Sequence, residues 1–278
     1  MKKMIRKLTV PISASIEITN NCNSNCIYCY NSLRSKSQLN LSDFIKILNI
    51  LDKNDIFQIK LSGGEPTMHT QFLEFSNQLS KFKFNNSLVT NLLIDDVKII
   101  DSINTNFNRI GISIDGPEKI HDKLRGKGSF KKIMSVLPKI KIEKIMYVTI
   151  SKINCDHLKS IIKLAEKLNF AGVVFLIYKP QGHQIKNKYK LELTKSDVDL
   201  FFKNIIFIKK NSKLNISYHD NNCGAGIDLF NIKVNGDVSL CAFSNLLAGN
   251  ILVDDFYEIN KRMKMVREKC KGKCCIQN

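Results

Sequence analysis

No apolar run in this 278-residue sequence is long enough to cross a membrane. The longest, near Ala171–Tyr178, falls far short of the roughly 20 residues that a membrane-spanning helix needs. The basic stretch at the start, residues 1–19, has neither an apolar h-region nor a small-residue cleavage site, so we predict no signal peptide. These absences favour a cytoplasmic protein. A chain of this length can bury a full core, as one large domain or as one domain with a small appendage.

Acidic residues are also scarce, because 25 Asp and Glu face 43 Lys and Arg and leave a formal net charge of +18. Such an excess is typical of proteins with anionic partners, such as nucleic acid, an acidic peptide or a phosphorylated metabolite. In this chain the basic residues are spread out and aromatic residues rarely interleave them, which favours solvated helix faces over a nucleic-acid site. The one dense basic run is Lys261–Lys273, where Glu268 is the single acid.

Cysteine is abundant by comparison, with nine in the chain. In a cytosolic protein, clustered cysteines indicate a metal site or catalysis before they indicate disulfides. Cys155 stands alone and is predicted to be a small buried hydrophobic residue. The others form one group near the start and one near the end, namely Cys22, Cys26 and Cys29, and Cys223, Cys241, Cys270, Cys274 and Cys275.

The first group places three thiolates within eight residues, directly after the first predicted strand. Three soft ligands suit either an iron–sulfur cluster or zinc. A structural zinc site normally needs four protein ligands, and no fourth Cys or His lies nearby in the sequence. The ferredoxin pattern differs in spacing and also supplies four cysteines. A cubane held by Cys22, Cys26 and Cys29 would keep one iron open for a substrate or cofactor, and zinc stays the alternative.

A second motif, Ser62-Gly-Gly-Glu65-Pro66, follows the second predicted strand. Two glycines let the backbone approach a ligand closely, and a carboxylate can receive an ammonium group. The alternative is an ordinary Gly-Gly turn into a helix. The three-cysteine loop earlier in the chain makes the ligand-binding interpretation the stronger one.

Apolar runs typical of strands alternate with amphipathic helical patterns up to about residue 180. This alternation predicts an α/β fold with a parallel sheet and right-handed crossovers, whether the sheet is open or curls into a partial barrel. The predicted strands are Ile12–Thr19, Ile56–Leu61, Ser87–Thr90, Arg109–Ile114, Ile145–Ile150 and Gly172–Tyr178, and the predicted helices are Leu41–Leu51, Gln71–Phe82, Phe130–Leu137 and Asp156–Leu168.

The pattern changes in the last third of the chain. We predict a core domain over residues 1–190, followed by a connector helix and a cysteine-containing module over residues 191–278. The signals in this part are a capping box at Thr194 and Asp197 before a helix over Val198–Lys209, a hairpin turn at Asn235-Gly236, and a last amphipathic helix over Tyr257–Lys269.

The cysteine spacing, with the aromatic Tyr28 before the last cysteine, resembles the radical S-adenosylmethionine (radical SAM) superfamily, and the Gly-Gly-Glu turn matches a motif of that superfamily. The segment Ser113-Ile-Asp115-Gly-Pro, with His121 and Arg125 after it, resembles the fourth-strand region of its peptide-modifying branch. The resemblance implies a partial (β/α)6 barrel with its active site at the carboxyl ends of the strands. It also implies a [4Fe-4S] cluster that helps to cleave S-adenosylmethionine reductively to a 5′-deoxyadenosyl radical.

The same resemblance implies which residues bind the cofactors. Cys22, Cys26 and Cys29 would hold the cluster. An arginine can hold a carboxylate with two parallel hydrogen bonds, whereas Ser and Thr at strand ends often only satisfy backbone groups. The residues implied as contacts to S-adenosylmethionine are Tyr28, Gly63, Gly64, Glu65, Thr90, Ser113, Arg125 and Ser151.

The cysteines near the end resemble the auxiliary-cluster domains called SPASM and twitch. The full SPASM pattern holds two clusters and continues beyond the length of this sequence, so the one-cluster twitch form fits better. The fold implied is therefore a partial barrel with a small twitch-like iron–sulfur module. A four-cysteine zinc ribbon is the alternative. The implied ligands of the auxiliary [4Fe-4S] cluster are Cys223, Cys241, Cys270 and Cys274, with Cys275 as the alternative to Cys274.

Taken together, these features predict a radical enzyme that modifies a peptide or protein, with an external electron donor such as flavodoxin or ferredoxin. A small-molecule radical oxidoreductase acting on a sugar or nucleotide is the first alternative, and a basic metal-binding nucleic-acid module is the second. Few residues precede the first strand, so we expect no attached leader-binding domain, which weakens the peptide interpretation but leaves a separate carrier open. Ala242 argues against sulfatase maturation, where relatives carry an acid. The candidate catalytic groups are Asp115, Tyr178, His183 and Asp220.

Overall fold

The computed structural model of the protein describes residues 9–31, 35–182, 185–218 and 223–269. Its strands form one ten-stranded sheet in the order β10-β9-β8-β1-β2-β3-β4-β5-β6-β7. The strands are β1 (Ser13–Thr19), β2 (Gln58–Gly63), β3 (Asn85–Thr90), β4 (Arg109–Ser113), β5 (Glu143–Ile150), β6 (Gly172–Ile177), β7 (Asn215–Tyr218), β8 (Leu229–Ile232), β9 (Asp237–Ser239) and β10 (Leu247–Asn250).

Neighbouring strands from β8 through β1 to β7 pair in parallel, whereas β9 pairs antiparallel with both of its neighbours, β8 and β10. The predicted parallel α/β fold is therefore confirmed. The helices are α1 (Leu41–Lys53), α2 (Phe72–Leu79), α3 (Val97–Asn106), α4 (Glu118–Arg125), α5 (Ser129–Val136), α6 (Leu158–Lys167), α7 (Lys188–Leu191), α8 (Lys195–Asn211) and α9 (Phe256–Lys269). No helix in the described part of the chain is long and apolar enough to span a membrane.

The caps and apolar faces of the helices follow from the sequence. The side chain of Asn40 caps α1 by accepting a hydrogen bond from the backbone N–H of Asp43. Helix α8 begins with the predicted capping box, in which Thr194 and Asp197 each accept a hydrogen bond from the other residue's backbone N–H. The apolar face of α1, which includes Phe44, is buried against the sheet.

Five elements were absent from the sequence prediction. Helix α7 is only four residues long. Helices α3 and α4 consist mostly of polar and charged residues, and each buries only two side chains, so few apolar residues mark them in the sequence. Strands β7 and β10 have four residues each and lie at the two edges of the sheet. Such short edge strands leave little pattern in a sequence.

Side chains alternate along the strands between the core beneath the helices and the concave face of the sheet. Ile16, Leu61 and Met146 belong to the core and are fully buried. One cavity on the concave face is lined from all of the strand ends between β1 and β6, which shows that the sheet curves into the predicted partial barrel. The strand residues that face inward are small or polar on several strands, among them Ser13, Lys60, Ser62, Ser87, Ser113 and Thr149.

The predicted hairpin is present as β8 and β9 around the turn at Gly236. It joins the barrel directly, because β8 pairs in parallel with β1 from Ser13↔Leu229 to Ile16↔Ile232. Helix α9 packs on β10. The C-terminal segment thus continues the barrel sheet on the side of the strand that leads into the cysteine loop.

Phe44 tests the packing of the helices on the sheet, because it is fully buried and stacks on Phe75 with 4.4 Å between ring centroids. Phe44→Ala should lower the free energy of unfolding of the metal-free protein by about 3–5 kcal/mol, measured by urea denaturation. The matched control is Phe57, whose side chain is 62% exposed. Phe57→Ala should change the free energy of unfolding by only about 0.5 kcal/mol or less. Equal losses in both variants would contradict the assigned packing.

Candidate active site

The three clustered cysteines lie on an irregular loop that leaves the carboxyl end of β1. Cys22, Cys26 and Cys29 are all half-buried, and all three line one cavity of about 190 Å³. The same cavity is lined by Glu65 at the end of β2 and by Ser113 at the end of β4. The structure therefore brings the cysteine loop and the Gly-Gly-Glu turn together, at the strand ends where the sequence predicts the active site.

Each of two cysteine sulfurs is approached by hydrogen-bond donors. The backbone N–H of Ser24 lies 3.4 Å from Sγ of Cys22. The Ser24 hydroxyl donates to the carbonyl oxygen of Arg125 at 3.2 Å and lies 3.3 Å from Sγ of Cys26. The side-chain amide of Asn91 approaches Sγ of Cys22 at 3.9 Å, and the Arg125 guanidinium approaches Sγ of Cys26 at 4.0 Å. Donors of this kind stabilise thiolates, which are the form that binds metal.

Burial raises the pKa of the Cys22 thiol to about 12, against the lowering effect of the Ser24 backbone N–H. The carboxylate of Glu65 and the neighbouring Cys26 and Cys29 raise it further. A buried thiolate in this position needs a compensating positive charge, which an iron–sulfur cluster supplies when its ligands lose their protons. The chemistry of the loop therefore fits a metal cluster.

The geometry also bears on which kind of metal group fits. Among the described residues, no three His, Cys, Asp or Glu side chains converge closely enough to hold a single metal ion. A cubane separates its cysteine ligands by its own iron and sulfur atoms, so it needs thiols that surround a larger space. Cys22, Cys26 and Cys29 all line one cavity, so they are the thiols that would hold such a cluster.

The two glycines of the turn allow the end of β2 to approach the start of the cysteine loop. A Cβ on Gly63, whose φ is +136°, would lie 2.3 Å from the carbonyl oxygen of Thr19, and one on Gly64 would lie 2.3 Å from that of Asn21. The N–H of Gly64 donates to Thr19 at 2.7 Å, and the N–H of Glu65 donates to Asn21 at 2.8 Å. The glycines thus join the two motifs directly, a structural role that the sequence analysis missed.

Glu65 is buried and held by four hydrogen bonds. Its Oε1 accepts from the backbone N–H and the hydroxyl of Thr67 at 3.2 and 2.8 Å and from the hydroxyl of Thr90 at 2.7 Å. Its Oε2 accepts one bond, from the backbone N–H of Asn91 at 2.7 Å. Burial raises the pKa of Glu65, and these bonds oppose the rise. Oε2 keeps a lone pair for one more donor.

Asp115 joins three separate parts of the site. Its carboxylate, fully buried after β4, accepts hydrogen bonds from the Tyr28 hydroxyl at 2.5 Å, from Nε of Arg125 at 2.7 Å and from the backbone N–H of Thr149 at 2.9 Å. The guanidinium of Arg125 also lies over the Tyr28 ring, 5.4 Å from its centroid. Asp115 is fully engaged in holding these groups, which gives it a positioning role in this structure.

The charges in this network reinforce each other. Burial by itself would lower the pKa of Arg125, but the adjacent Asp115 carboxylate raises it and keeps the guanidinium charged. Burial raises the pKa of Tyr28, so the phenol stays protonated and its hydroxyl donates a hydrogen bond to Asp115. Burial lowers the pKa of His121 to about 4, and its Nδ1 accepts the backbone N–H of Asp115 at 3.3 Å. His121 is therefore neutral around pH 7.

The remaining predicted cofactor contacts differ in whether they line the cavity. Ser113 and Thr90 line the cavity, whereas Ser151 is fully buried and is not among the residues lining it. The backbone N–H of Ser151 donates to the side chain of Asn154, which in turn donates to the carbonyl oxygens of Asp115 and Thr149. Asn154 is a supporting residue that carried no signal in the sequence, because its role depends on tertiary contacts.

The C-terminal segment reaches the same cavity. Phe243 lines it and packs edge-on against Tyr30, with 4.8 Å between ring centroids. Burial raises the pKa of Tyr30, and Cys29 and Cys241 are among the neighbouring groups that raise it further. The predicted residues outside the described part of the chain are Cys270, Cys274, Cys275, His183 and Asp220.

Comparison with known proteins places this geometry in a family context. The family sequence model of the Radical SAM superfamily matches residues 16–178 of this chain. The sporulation killing factor maturation protein SkfB of Bacillus subtilis is 27% identical, over 96% of this chain and 68% of its own length. The mycofactocin maturase MftC of Mycolicibacterium smegmatis is 26% identical, over 95% of this chain and 73% of its own length.

Solved structures share the fold. Streptococcus suis SuiB bound to its precursor peptide SuiA superimposes with a TM-score of 0.76 at 14% identity, covering 97% of this chain and 70% of SuiB. Native anSMEcpe with bound AdoMet gives a TM-score of 0.75 at 22% identity, covering 95% of this chain and 86% of that one. Since the family model matches more than half of the sequence and the motifs meet in one cavity, the chain belongs to the Radical SAM superfamily.

Proposed function

We propose that this protein is a radical S-adenosylmethionine enzyme that modifies a peptide or protein substrate. The observation that carries the proposal is that Cys22, Cys26 and Cys29 line one cavity together with Glu65 at the carboxyl ends of the barrel strands. The names of similar proteins support the peptide part. SkfB is a maturation protein for a sporulation killing factor, MftC is a mycofactocin maturase, and SuiB has been crystallised with a precursor peptide.

The cofactors supply the radical chemistry. A [4Fe-4S] cluster and S-adenosylmethionine, when bound, provide a 5′-deoxyadenosyl radical that abstracts hydrogen from the substrate. In the proposed site, Cys22, Cys26 and Cys29 hold the cluster through thiolates. Oε2 of Glu65, which accepts only one hydrogen bond in this structure, would accept a second one from an N–H of the amino group of S-adenosylmethionine. A cytoplasmic flavodoxin or ferredoxin would provide the electron.

Other residues of the chain position the reactants and exclude water. Ser113 and the Nη atoms of Arg125, whose Nε is held by Asp115, would bind the cofactor carboxylate and ribose. Tyr28, Gly63, Gly64 and Thr90 would form the walls around the cofactor, and Ser151 would act through Asn154, to which its backbone N–H donates. Phe243 lines the cavity from the C-terminal segment.

An auxiliary [4Fe-4S] cluster forms part of the same proposal. Cys223 and Cys241 would hold it together with Cys270 and Cys274, or with Cys275 in place of Cys274. Two observations support this position near the active site, namely the electrostatic effect of Cys241 on Tyr30 and the place of Phe243 in the cavity wall. A cluster with four protein ligands has no open iron, so it would transfer electrons rather than bind substrate.

The catalytic cluster is tested by removing its ligands. A Cys22→Ala/Cys26→Ala/Cys29→Ala protein, reconstituted and reduced, should form no 5′-deoxyadenosine from S-adenosylmethionine, because no thiolate would hold the cluster. Cys155→Ala is the matched control, since that half-buried cysteine lies away from the cavity lining. It should cleave the cofactor as fast as the unmodified protein. Undiminished cleavage by the triple variant would contradict the assignment.

The role of Glu65 is tested by Glu65→Gln. Losing the charge should weaken S-adenosylmethionine binding by about 1–3 kcal/mol in calorimetry, the value of a charge-assisted hydrogen bond. The exposed Glu74 on α2 provides the control, and Glu74→Gln should bind normally. Because the new amide faces the donors on Thr90 and Asn91, the urea midpoint of each variant must be measured alongside. Unchanged affinity in a folded Glu65→Gln protein would show that Glu65 stabilises the turn and does not bind the cofactor.

The number of clusters is tested by metal analysis. The reconstituted protein should contain about eight irons per chain and no zinc, because each cubane holds four. Cys223→Ala/Cys241→Ala should retain about four irons and still cleave S-adenosylmethionine without substrate, but it should fail to turn over a peptide substrate. About four irons and one zinc in the unmodified protein would show that the second site is a zinc ribbon instead.

A further inference from the structure

Three charged side chains line the cavity in the described part of the chain, and two of them are already engaged. The Glu65 carboxylate accepts four hydrogen bonds, and the Arg125 guanidinium is ion-paired to Asp115. The third is Lys179. No carboxylate among the described residues lies within ion-pair distance of its ammonium group.

Lys179 lies in the segment that follows β6. The Gly-Gly-Glu turn follows β2 and the cysteine loop follows β1, which are four and five strands away in the sheet order. The chain after Lys179 returns to the cysteine loop, because a Cβ on Gly182 would lie 2.3 Å from the carbonyl oxygen of Tyr30. Lys179 therefore belongs to the segment that connects β6 to the loop across the cavity.

The cavity that Lys179 lines has mostly apolar and aromatic walls, to which Leu176, Ile177, Tyr30 and Phe243 contribute. Its only Asp or Glu within the described ranges is the engaged Glu65. An ammonium group among such walls loses hydration unless an anion pairs with it. Lysine is a compact charge that pairs with a carboxylate from several directions, so it selects for charge more than for geometry.

We infer that Lys179 binds a carboxylate of the peptide substrate, contributed by an Asp or Glu side chain. The residue next to that Asp or Glu would be apolar and would contact Leu176 and Phe243 in the cavity wall. The inference rests on the proposed function and adds the substrate class to it. The enzyme should accordingly select peptides with an acidic residue close to the modified position. Lys179 would then determine substrate specificity, while Glu65 and the cysteine loop hold the cofactors.

The test is a selection from a library of randomised peptides, displayed with their carboxyl ends blocked, on the reconstituted protein with S-adenosylmethionine. Three proteins are compared: the unmodified protein, Lys179→Glu and the control Lys163→Glu. Lys163 is exposed on α6, so its variant changes the net charge equally but outside the cavity. We expect the unmodified protein and the control to enrich Asp or Glu beside an apolar residue, and Lys179→Glu to lose this enrichment and to favour Lys or Arg.

A selected peptide and its Asn or Gln analogue then give the affinities. The analogue should bind the unmodified protein about tenfold more weakly, the loss expected for one charge-assisted contact. The Lys179→Met protein should bind the analogue and the acidic peptide with equal affinity. A further peptide carries an amide in place of the acidic side chain but has a free carboxyl end. Its affinity shows whether Lys179 binds a terminal carboxylate instead of a side-chain carboxylate. Iron content and circular dichroism verify that each variant is folded.

Several results would overturn the inference. Equal acidic enrichment by all three proteins would show that the overall positive charge, rather than Lys179, attracts the peptides, and peptide modification would still stand. A loss of S-adenosylmethionine affinity in Lys179→Met as large as its loss of peptide affinity would place the residue in the cofactor site. If the unmodified protein enriches no peptide above an empty support, the proposed peptide function itself fails, and the inference fails with it.

Discussion

The buried carboxylate of Asp115 is the interaction on which the geometry of the active site depends. A buried charge is tolerated only when it is paired and hydrogen-bonded. Asp115 meets both conditions through Arg125, Tyr28 and the backbone of Thr149, which belong to α4, the cysteine loop and β5. Removing the carboxylate would leave the guanidinium of Arg125 buried without its partner, beside the Cys26 sulfur. Asp115 thus holds one side of the cysteine loop and the positive charge next to its thiols.

A second constraint fixes the other side of the loop. Gly63 and Gly64 let the backbone of the turn after β2 lie directly against residues 19–21, at distances that no Cβ would permit. The loop is therefore held between two neighbouring strand ends and the Asp115 network. Phe243 and Lys179 line the same cavity from parts of the chain far from the cysteine loop in sequence. Both parts contact the loop, because Phe243 packs on Tyr30 and Gly182 approaches the carbonyl oxygen of Tyr30.

The sequence was most informative where chemistry is concentrated in short motifs. The cysteine spacing and the Gly-Gly-Glu turn predicted which residues share a site, and the strand–helix alternation predicted the parallel sheet. Contacts between distant segments left no such pattern. The pairing of Asp115 with Arg125 and Tyr28, the support from Asn154 and the packing of Phe243 on Tyr30 all depend on strand order and curvature. Helix α4 was missed for a related reason, because its polar sequence buries only His121 and Leu124.

The central claim is that three cysteines hold a cluster whose open iron binds the amino group of S-adenosylmethionine. The most direct measurement is electron–nuclear double resonance on the reduced, reconstituted protein, with the cofactor labelled with nitrogen-15 at its amino group. The account predicts a hyperfine coupling between the cluster and the labelled nitrogen, which only a directly bound nitrogen produces at appreciable strength. A cluster signal without that coupling, in protein shown to have bound the cofactor, would contradict it.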